Sequence, residues 1–244
     1  MITLYFWTTP NGYKPLILLN ELGIDYRIEP VNISTGAQFE KGFLAIAPNN
    51  RIPAIIDDAP VDGEGPLSLF ESGAILEYLA DKRGQLLPSP AQPRQRFEVL
   101  QWLYWQMGGL GPMAGQNHHF VQYAPQQIAY AIQRYVNETS RLYAVMNKQL
   151  AAQEFLAGNY SIADIACYPW IVPHAKQRQN LADYPHLQAW FERIGERPAV
   201  KAAYTEGAAI NTNATVTEES RTLLFGQSAD TVARNPSVQP PYRS

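Results

Sequence analysis

The Leu-Pro-Ser-Pro segment at residues 87–90 separates two regions whose hydrophobic patterns differ. Before it, short apolar segments typical of strands alternate with segments of helical pattern. After it, apolar residues recur at spacings of three and four, the period of a helix packed on one face. A chain of 244 residues is long enough for two ordinary domains. We therefore expect an α/β domain at residues 1–87, a linker at 88–92 and an all-helical domain at 93–206.

The order of elements in the first region predicts a small mixed sheet with helices on its faces. Apolar, β-branched and aromatic residues predict strands at residues 2–7, 26–31, 52–56 and 67–70. After a turn at residues 8–12, a helix is expected at residues 13–22, with Gly23 as its left-handed cap. A polar segment with a few apolar anchors precedes the third strand, and a last helix ends near Lys82. The predicted order is β-α-β-α-β-β-α.

The second region contains several amphipathic helices. The clearest runs over residues 128–150, and others are expected near residues 97–107 and 187–194. The Gly-Gly-Leu-Gly-Pro segment at 108–112 predicts a break or kink, and Ser161 with Asp164 predicts a capping box at the start of a buried helix. Residues 207–244 are polar and without period, so we expect an extended or partly disordered tail.

Composition argues against several classes of function. The net charge is −3 and the pI about 5.8, which favours neither nucleic acid nor an anionic membrane as a partner. Cys167 is the single cysteine, which excludes an internal disulfide, a CxxC redox pair and a thiolate zinc site, and we expect it to be buried in the core. His118 and His119 are adjacent and point about 100° apart on a helix, so no metal site is expected. Neither a secretory segment nor an apolar run of about 20 residues is found, and a cytoplasmic protein is expected.

The junction of the fourth strand with its helix is the first candidate site. Glu71 and Ser72 follow an apolar strand and open a helix. The free amides of a first helical turn and a Ser hydroxyl bind a carboxylate, because a helix N-terminus carries about half a positive charge. An acidic residue beside them suits an ammonium, so the pair matches the head group of an amino acid. The alternative is an ordinary Ser helix cap with an acidic first turn.

These features together resemble the glutathione transferase superfamily over residues 1–205. The motifs that narrow the resemblance to its nu class are Thr-Pro-Asn-Gly at 9–12, Gln-Phe at 38–39, Pro-Asn-Asn-Arg-Ile-Pro-Ala-Ile at 48–55, Phe-Glu-Ser-Gly-Ala-Ile at 70–75 and Gly-Gly-Leu-Gly-Pro-Met with Gly-Gln-Asn-His-His-Phe at 108–120. That class contains bacterial disulfide-bond reductases and is related to a yeast nitrogen-regulating prion protein. The resemblance implies a thioredoxin-like first domain and an all-helical second domain.

The resemblance also implies roles for particular residues. It puts Asn11 near the sulfur of bound glutathione, with Thr9 assisting; the alternative is that both belong to a simple turn. It implies a cis peptide bond at Ile52–Pro53, which presents the Ile52 backbone to the cysteinyl residue. The γ-glutamyl end is assigned to Glu71 and Ser72.

The remaining assignments are to the far end of the ligand and to a second subunit. Gln38 resembles a family contact to glutathione, unless it is only a loop residue. Asn50 and Arg51 are assigned to the glycyl carboxylate, unless Arg51 is a solvated charge. Arg134 is expected to reach the site of a neighbouring subunit in a homodimer, and the alternative is a solvent-facing arginine on an amphipathic helix.

The implied activity is glutathione-dependent thiol–disulfide exchange, in which bound glutathione supplies the sulfur and a second glutathione resolves the intermediate. Expected substrates are small-molecule disulfides, hydroperoxides or electrophiles, with conjugation to electrophiles as the runner-up reaction. A different class of function, a binding or regulatory module with little turnover, stays open. The polar tail favours that alternative, since catalysis has no obvious need of it.

Overall fold

The computed structural model of the chain describes residues 1–212 and 216–235. The chain forms two compact units. One comprises residues 1–82 together with the described residues after 201, and the other comprises residues 83–201. The chain passes from the first unit to the second after residue 82, a few residues before the expected boundary at 87. The chain after residue 201, in contrast, joins the first unit instead of forming a separate tail.

The first unit is built on a sheet of four strands: β1 (Ile2–Phe6), β2 (Tyr26–Pro30), β3 (Ala54–Asp57) and β4 (Leu67–Phe70). The strand order is β2-β1-β3-β4, with β1 parallel to β2 and both other pairs antiparallel. In the register, Leu4 lies opposite Ile28 on one side and Ile55 on the other. The mixed sheet expected from the sequence is confirmed.

Three helices accompany this sheet along the chain: α1 (Pro10–Leu22), α2 (Lys41–Ile46) and α3 (Ser72–Arg83). A short 3-10 turn, Ala37–Phe39, precedes α2. The apolar side chains of α1 and α3 that are 0% exposed are Leu16, Ile17, Leu18, Leu19, Ile75, Leu76, Leu79 and Ala80. A second cluster joins Phe43 and Ile46 of α2 to Ile52 and Ala54. The observed order is the predicted β-α-β-α-β-β-α.

Helix α1 begins three residues earlier than expected, at Pro10 instead of Tyr13. Thr9 is extended and its hydroxyl accepts a hydrogen bond from the Gly12 N–H at 3.1 Å, so it is the N-cap. Pro10 then occupies the first helical position, where a missing N–H costs nothing. Residues with turn character therefore form the first turn of a helix. Gly23 is left-handed, with φ 57°, and ends the helix as predicted.

The second unit is helical, as expected. Its main elements are α4 (Pro93–Trp105), α5 (Gly111–His118), α6 (Ala129–Leu150), α7 (Ile162–Ile171) and α8 (Pro185–Gly195). The segment at 108–112, where we expected a break or kink, does not break the chain, because α4 continues into α5 through a π-helical turn, Gln106–Leu110. Within this turn the Gly111 N–H donates to the carbonyl of Gln106, five residues earlier. A second π-helical turn, His119–Tyr123, follows α5.

The capping box at the start of α7 is confirmed. The Ser161 hydroxyl accepts the Ala163 N–H, and the Asp164 carboxylate accepts the Ser161 N–H at 3.1 Å. Asp164 is completely buried and also accepts from the Leu156 N–H and the Trp190 indole. Burial raises the pKa of Asp164 to about 6 in spite of these donors. Cys167 is buried on the same helix, as expected.

The chain after residue 195 differs from the sequence-based expectation. Helix α9 (Pro198–Ile210) is followed by α10 (Glu218–Phe225) and α11 (Ala229–Arg234). Where we expected an extended tail from residue 207, the described part is therefore mostly helical. Residues 213–215 and 236–244 of that expected tail lie outside the described residues. None of the helices in the described ranges combines the length and apolar character that crossing a bilayer requires.

Candidate functional site

A cavity of about 270 Å³ opens in the first unit where the start of α1, the segment before β3 and the β4–α3 junction meet. This volume is close to the lower end of the range for small-ligand sites. Its lining residues are Asn11, Asn49, Arg51, Ile52, Pro53, Phe70, Glu71 and Ser72. The cavity thus brings together most of the residues assigned to glutathione from the sequence, although they come from three separate parts of the chain.

Glu71 holds an unusual backbone conformation at the end of β4. Its φ is 71°, in the left-handed region that a residue with a side chain rarely adopts. Its carbonyl accepts the Ile75 N–H at 3.0 Å, so Glu71 is the N-cap of α3. Ser72 is therefore the first helical residue, one position after the cap. Strained residues of this kind concentrate at functional sites.

Two opposite charges face the cavity. The Glu71 carboxylate and the Arg51 guanidinium both line it, and both side chains are exposed. Among the residues that the structure describes, neither charged group has a hydrogen-bond or ion-pair partner. An acid and a base that are both available to a ligand suit a molecule with an ammonium at one end and a carboxylate at the other.

Asn11 lies in the first turn of α1 and reaches the cavity because that turn lies against the end of β1. A Cβ on the next residue, Gly12, would stand 2.1 Å from the Trp7 carbonyl oxygen, so only glycine permits this approach. Thr9 does not line the cavity. Its hydroxyl accepts the Gly12 N–H and keeps its own hydrogen for donation. The catalytic role assigned to Asn11 and Thr9 stays a prediction.

The segment before β3 supplies another wall of the cavity. Asn49 and Arg51 are exposed and line it, whereas Asn50 between them is buried. Asn50 has φ 44° and its amide donates to Gln227 Oε1 at 3.0 Å, so it points away from the lining. The Ile52–Pro53 peptide bond is cis, as the resemblance implied.

Lys14 is a residue of this region that the sequence analysis missed. It is 1% exposed on α1, and its Nζ donates to the Ser72 hydroxyl at 3.4 Å. A buried lysine amine behind Ser72 supplies a hydrogen-bond donor and the capacity for positive charge where an anion would bind. Its signal in the sequence is a lysine inside an otherwise apolar helix. Asn49 and Phe70 were also missed, although both lie inside the motifs that we quoted.

Two other assigned residues lie elsewhere. Gln38 is buried in the 3-10 turn, and its Nε2 donates to the Ile33 carbonyl at 3.2 Å. Within the described ranges its Oε1 has no hydrogen-bond partner. Arg134 lies on α6 of the second unit, exposed, with Glu138 at 3.6 Å. Both assignments to glutathione stay predictions.

Histidine and acidic side chains do not form a metal centre in the described part of the chain. A group of three His, Cys, Asp or Glu side chains that could hold an ion is not found there. His118 lies beside the ring of Tyr123 at 5.1 Å, and burial followed by the charge of Lys176 lowers the pKa of His118. Burial also lowers the pKa of His119, so neutral imidazole is favoured at both positions.

Both halves of the chain match models of one protein family. Residues 1–81 match the model described as glutathione S-transferase, N-terminal domain, and residues 116–198 match glutathione S-transferase, C-terminal domain. Among curated proteins, the chain is 56% identical over 204 residues to the Escherichia coli protein named disulfide-bond oxidoreductase YfcG. That match covers 83% of this chain and 94% of the relative.

Solved structures are similar over the same extent. A glutathione transferase from Pseudomonas putida, with one glutathione disulfide bound per subunit, is 42% identical at a TM-score of 0.77. The match covers 83% of this chain and 90% of that one. A glutathione transferase family member from Pseudomonas fluorescens, with two glutathione bound, is also 42% identical at a TM-score of 0.77, covering 83% and 91%.

Proposed function

The chain belongs to the glutathione S-transferase family, and from this we propose that it is a glutathione-dependent thiol–disulfide oxidoreductase. The observation that carries the proposal is the burial of Cys167, the only cysteine of the sequence. Because a thiolate is the nucleophile of disulfide exchange, and the protein exposes none, glutathione must supply it. The name and identity of the E. coli relative support the same activity.

The cavity supports a definite placement of the tripeptide. The γ-glutamyl ammonium pairs with the Glu71 carboxylate, and its carboxylate binds at Ser72, where the α3 N-terminus and Lys14 both favour negative charge. The Ile52 backbone pairs with the cysteinyl residue. Arg51, the cation of the lining, takes the glycyl carboxylate. The sulfur then lies by Asn11 at the start of α1.

The energy needed to activate the sulfur is modest. A free thiol has a pKa of about 8.5. Lowering it by about two units requires roughly 2.7 kcal/mol of added stabilisation of the thiolate. One hydrogen bond to a charged group supplies about 1.5–3 kcal/mol. A helix N-terminus adds about 0.3–1 kcal/mol. The Asn11 amide donates, and the start of α1 carries the dipole, so neither a general base nor a metal is required.

The reaction balances with two glutathione molecules. The bound thiolate attacks one sulfur of the substrate disulfide, that S–S bond breaks, and the departing thiolate takes a proton. A second glutathione thiolate attacks the glutathionyl sulfur of the mixed disulfide and releases the second thiol. The substrate is reduced to two thiols while two glutathione molecules are oxidised to one glutathione disulfide. A glutathione transferase from Burkholderia graminis has two glutathione molecules bound per protein subunit, which supports two tripeptides per site here.

Related reactions use the same thiolate. With an organic hydroperoxide, attack on the O–O bond gives the alcohol and a glutathione sulfenic acid, which a second glutathione reduces with loss of water. With an electrophile, the thiolate forms a stable conjugate. We also propose a homodimer in which Arg134 of one subunit reaches the site of the other, as the family resemblance implies.

Turnover of hydroxyethyl disulfide with glutathione tests the proposal. We expect glutathione-dependent reduction that is retained in Cys167→Ala, and a thiol pKa of bound glutathione, read from thiolate absorbance, well below its value in buffer. Loss of activity in a folded Cys167→Ala variant would contradict a nucleophile supplied by glutathione. Glutathione binding without turnover at any pH would favour the regulatory module instead.

A further inference from the structure

The chain after residue 201 is anchored on β2, on α1 and on the residues just before α1, all in the first unit. The Tyr204 ring stacks on Tyr13 of α1, with centroids 4.1 Å apart and planes within 16° of parallel. The Tyr26 hydroxyl of β2 donates to Glu206 at 2.6 Å. Just beyond α9, the Asn211 amide donates to the Thr8 hydroxyl at 2.5 Å. The family match ends at residue 198, so it assigns no role to these contacts.

Helix α10 packs on the loop that carries Gln38. The methyl carbons of Leu223 lie 3.8 Å from where a Cβ on Gly36 would stand. Gly36 has φ 88° and immediately precedes the 3-10 turn of Gln38. The start of α10 is fixed by a capping box between Thr217 and Ser220. A helix with its own cap thus lies against the residue just before the 3-10 turn of Gln38.

Gln227, two residues beyond α10, holds the segment before β3. Its Oε1 accepts the Asn50 amide at 3.0 Å, while its Nε2 donates to the Leu223 carbonyl at 3.1 Å. Because Nε2 donates to the Leu223 carbonyl, Oε1 is the end of the Gln227 amide that faces Asn50. Asn50 is buried and left-handed, and its neighbours Asn49 and Arg51 line the cavity. The backbone of this three-residue segment is therefore held from behind by a residue 177 positions away.

We propose that Gln227 is a positioning residue for ligand binding, which holds Asn49 and Arg51 in place through Asn50. The inference rests on the proposed function, because it assigns Arg51 to the glycyl carboxylate of glutathione. Preorganising this segment removes an ordering cost from binding. The γ-glutamyl contacts come from another element, and the Gln227 bond is to Asn50, beside Arg51, and not to Ile52. We therefore expect Gln227 to affect recognition of the glycyl end most.

Gln227→Met tests this inference, because it keeps the length of the side chain and removes both hydrogen bonds. We expect the Kd for glutathione, measured by titration calorimetry on the full chain, to rise about three- to tenfold. The Kd for γ-glutamylcysteine, which lacks the glycyl residue, should change less than twofold, as should kcat at saturating glutathione. Thr222→Ala is the control, since Thr222 is exposed on α10, close to Gln227 in the chain, and among the described residues its hydroxyl bonds only the Glu218 carbonyl of the same helix.

A double-mutant cycle with Asn50→Ala tests whether Gln227 acts on glutathione binding through Asn50. If Gln227 acts through Asn50, adding Gln227→Met to Asn50→Ala weakens glutathione binding no further. An unchanged Kd in Gln227→Met, equal losses for both ligands, or additive losses in the double variant would overturn the inference while glutathione binding itself stands. A wild-type protein that does not bind glutathione would overturn the proposed function as well.

Discussion

Glu71 allows the cost of backbone strain to be separated from the gain in ligand binding. A left-handed residue with a side chain costs about 1–2 kcal/mol, whereas glycine adopts this conformation freely. Replacing Glu71 by glycine removes this strain. The greater conformational freedom of glycine in the unfolded chain offsets about 0.5–1 kcal/mol of the stability so gained. Because the Glu71 side chain is exposed and has no partner among the described residues, little packing is lost. We expect Glu71→Gly to raise the free energy of unfolding by about 0.5–1 kcal/mol.

The same substitution should weaken glutathione binding. Loss of one charge-assisted hydrogen bond at an exposed site is expected to raise the Kd for glutathione about tenfold, or about 1.4 kcal/mol. Glu71→Gln is the matched variant, since it removes the charge and keeps the strained backbone. It should lose a similar factor in binding and leave the unfolding free energy within about 0.5 kcal/mol of wild type.

Urea unfolding at a fixed protein concentration and titration calorimetry with glutathione measure the two effects on the same three proteins. A Glu71→Gly variant that is less stable than Glu71→Gln would refute the strain argument. A Glu71→Gly variant that binds glutathione as wild type does would refute the assignment of the ammonium to this carboxylate. The two variants separate strain from charge. Both lose the carboxylate charge, but only Glu71→Gly relieves the strained backbone.

Three further predictions concern Asn11, Lys14 and Asp164. Asn11→Ala should lower kcat for disulfide reduction about tenfold or more and change the KM for glutathione less than threefold; equal effects on both would show that Asn11 only holds the ligand. Lys14→Met, which keeps the apolar stem, should raise the KM for glutathione several-fold and leave the far-UV circular dichroism unchanged. An unaltered KM would exclude a contribution of Lys14 to anion binding at Ser72. The raised pKa of Asp164, about 6 from burial, means that the folded state holds this proton more tightly than the unfolded chain. Its contribution to stability is therefore present below about pH 4 and lost as the pH rises through about 6. The unfolding free energy of Asp164→Asn should decline less over that window, and parallel pH profiles would contradict this.

The elements that the sequence predicted well are those in which local pattern and packing agree. Strand β4 has the expected bounds, and α6 begins and ends within a residue of the expected 128–150. The capping box of Ser161 and Asp164 was readable because its chemistry lies within four consecutive residues. Most of the cavity was also predicted, because its residues lie in motifs whose order carries the family resemblance.

The predictions that were wrong rest on residue types that occur in more than one kind of local structure. Proline and glycine predict turns, yet Pro10 opens a helix and the Gly-Gly-Leu-Gly-Pro segment at 108–112 passes through a π-helical turn. Lys14 was overlooked because burial of a charge depends on its tertiary surroundings, which have no local signature. Helices α10 and α11 are short and polar, so their period is too weak to detect before their contacts are known.

The two ends of the described chain contribute to one compact unit, which bears on how the protein is made. The sheet residues are synthesised before the second unit, whereas their later contacts come after it. These later residues are Tyr204, Glu206 and Gln227. Domains generally fold as they emerge, beginning at the N-terminus. Here the nascent sheet and its helices must wait until residue 227 has been translated before Gln227 can bond Asn50.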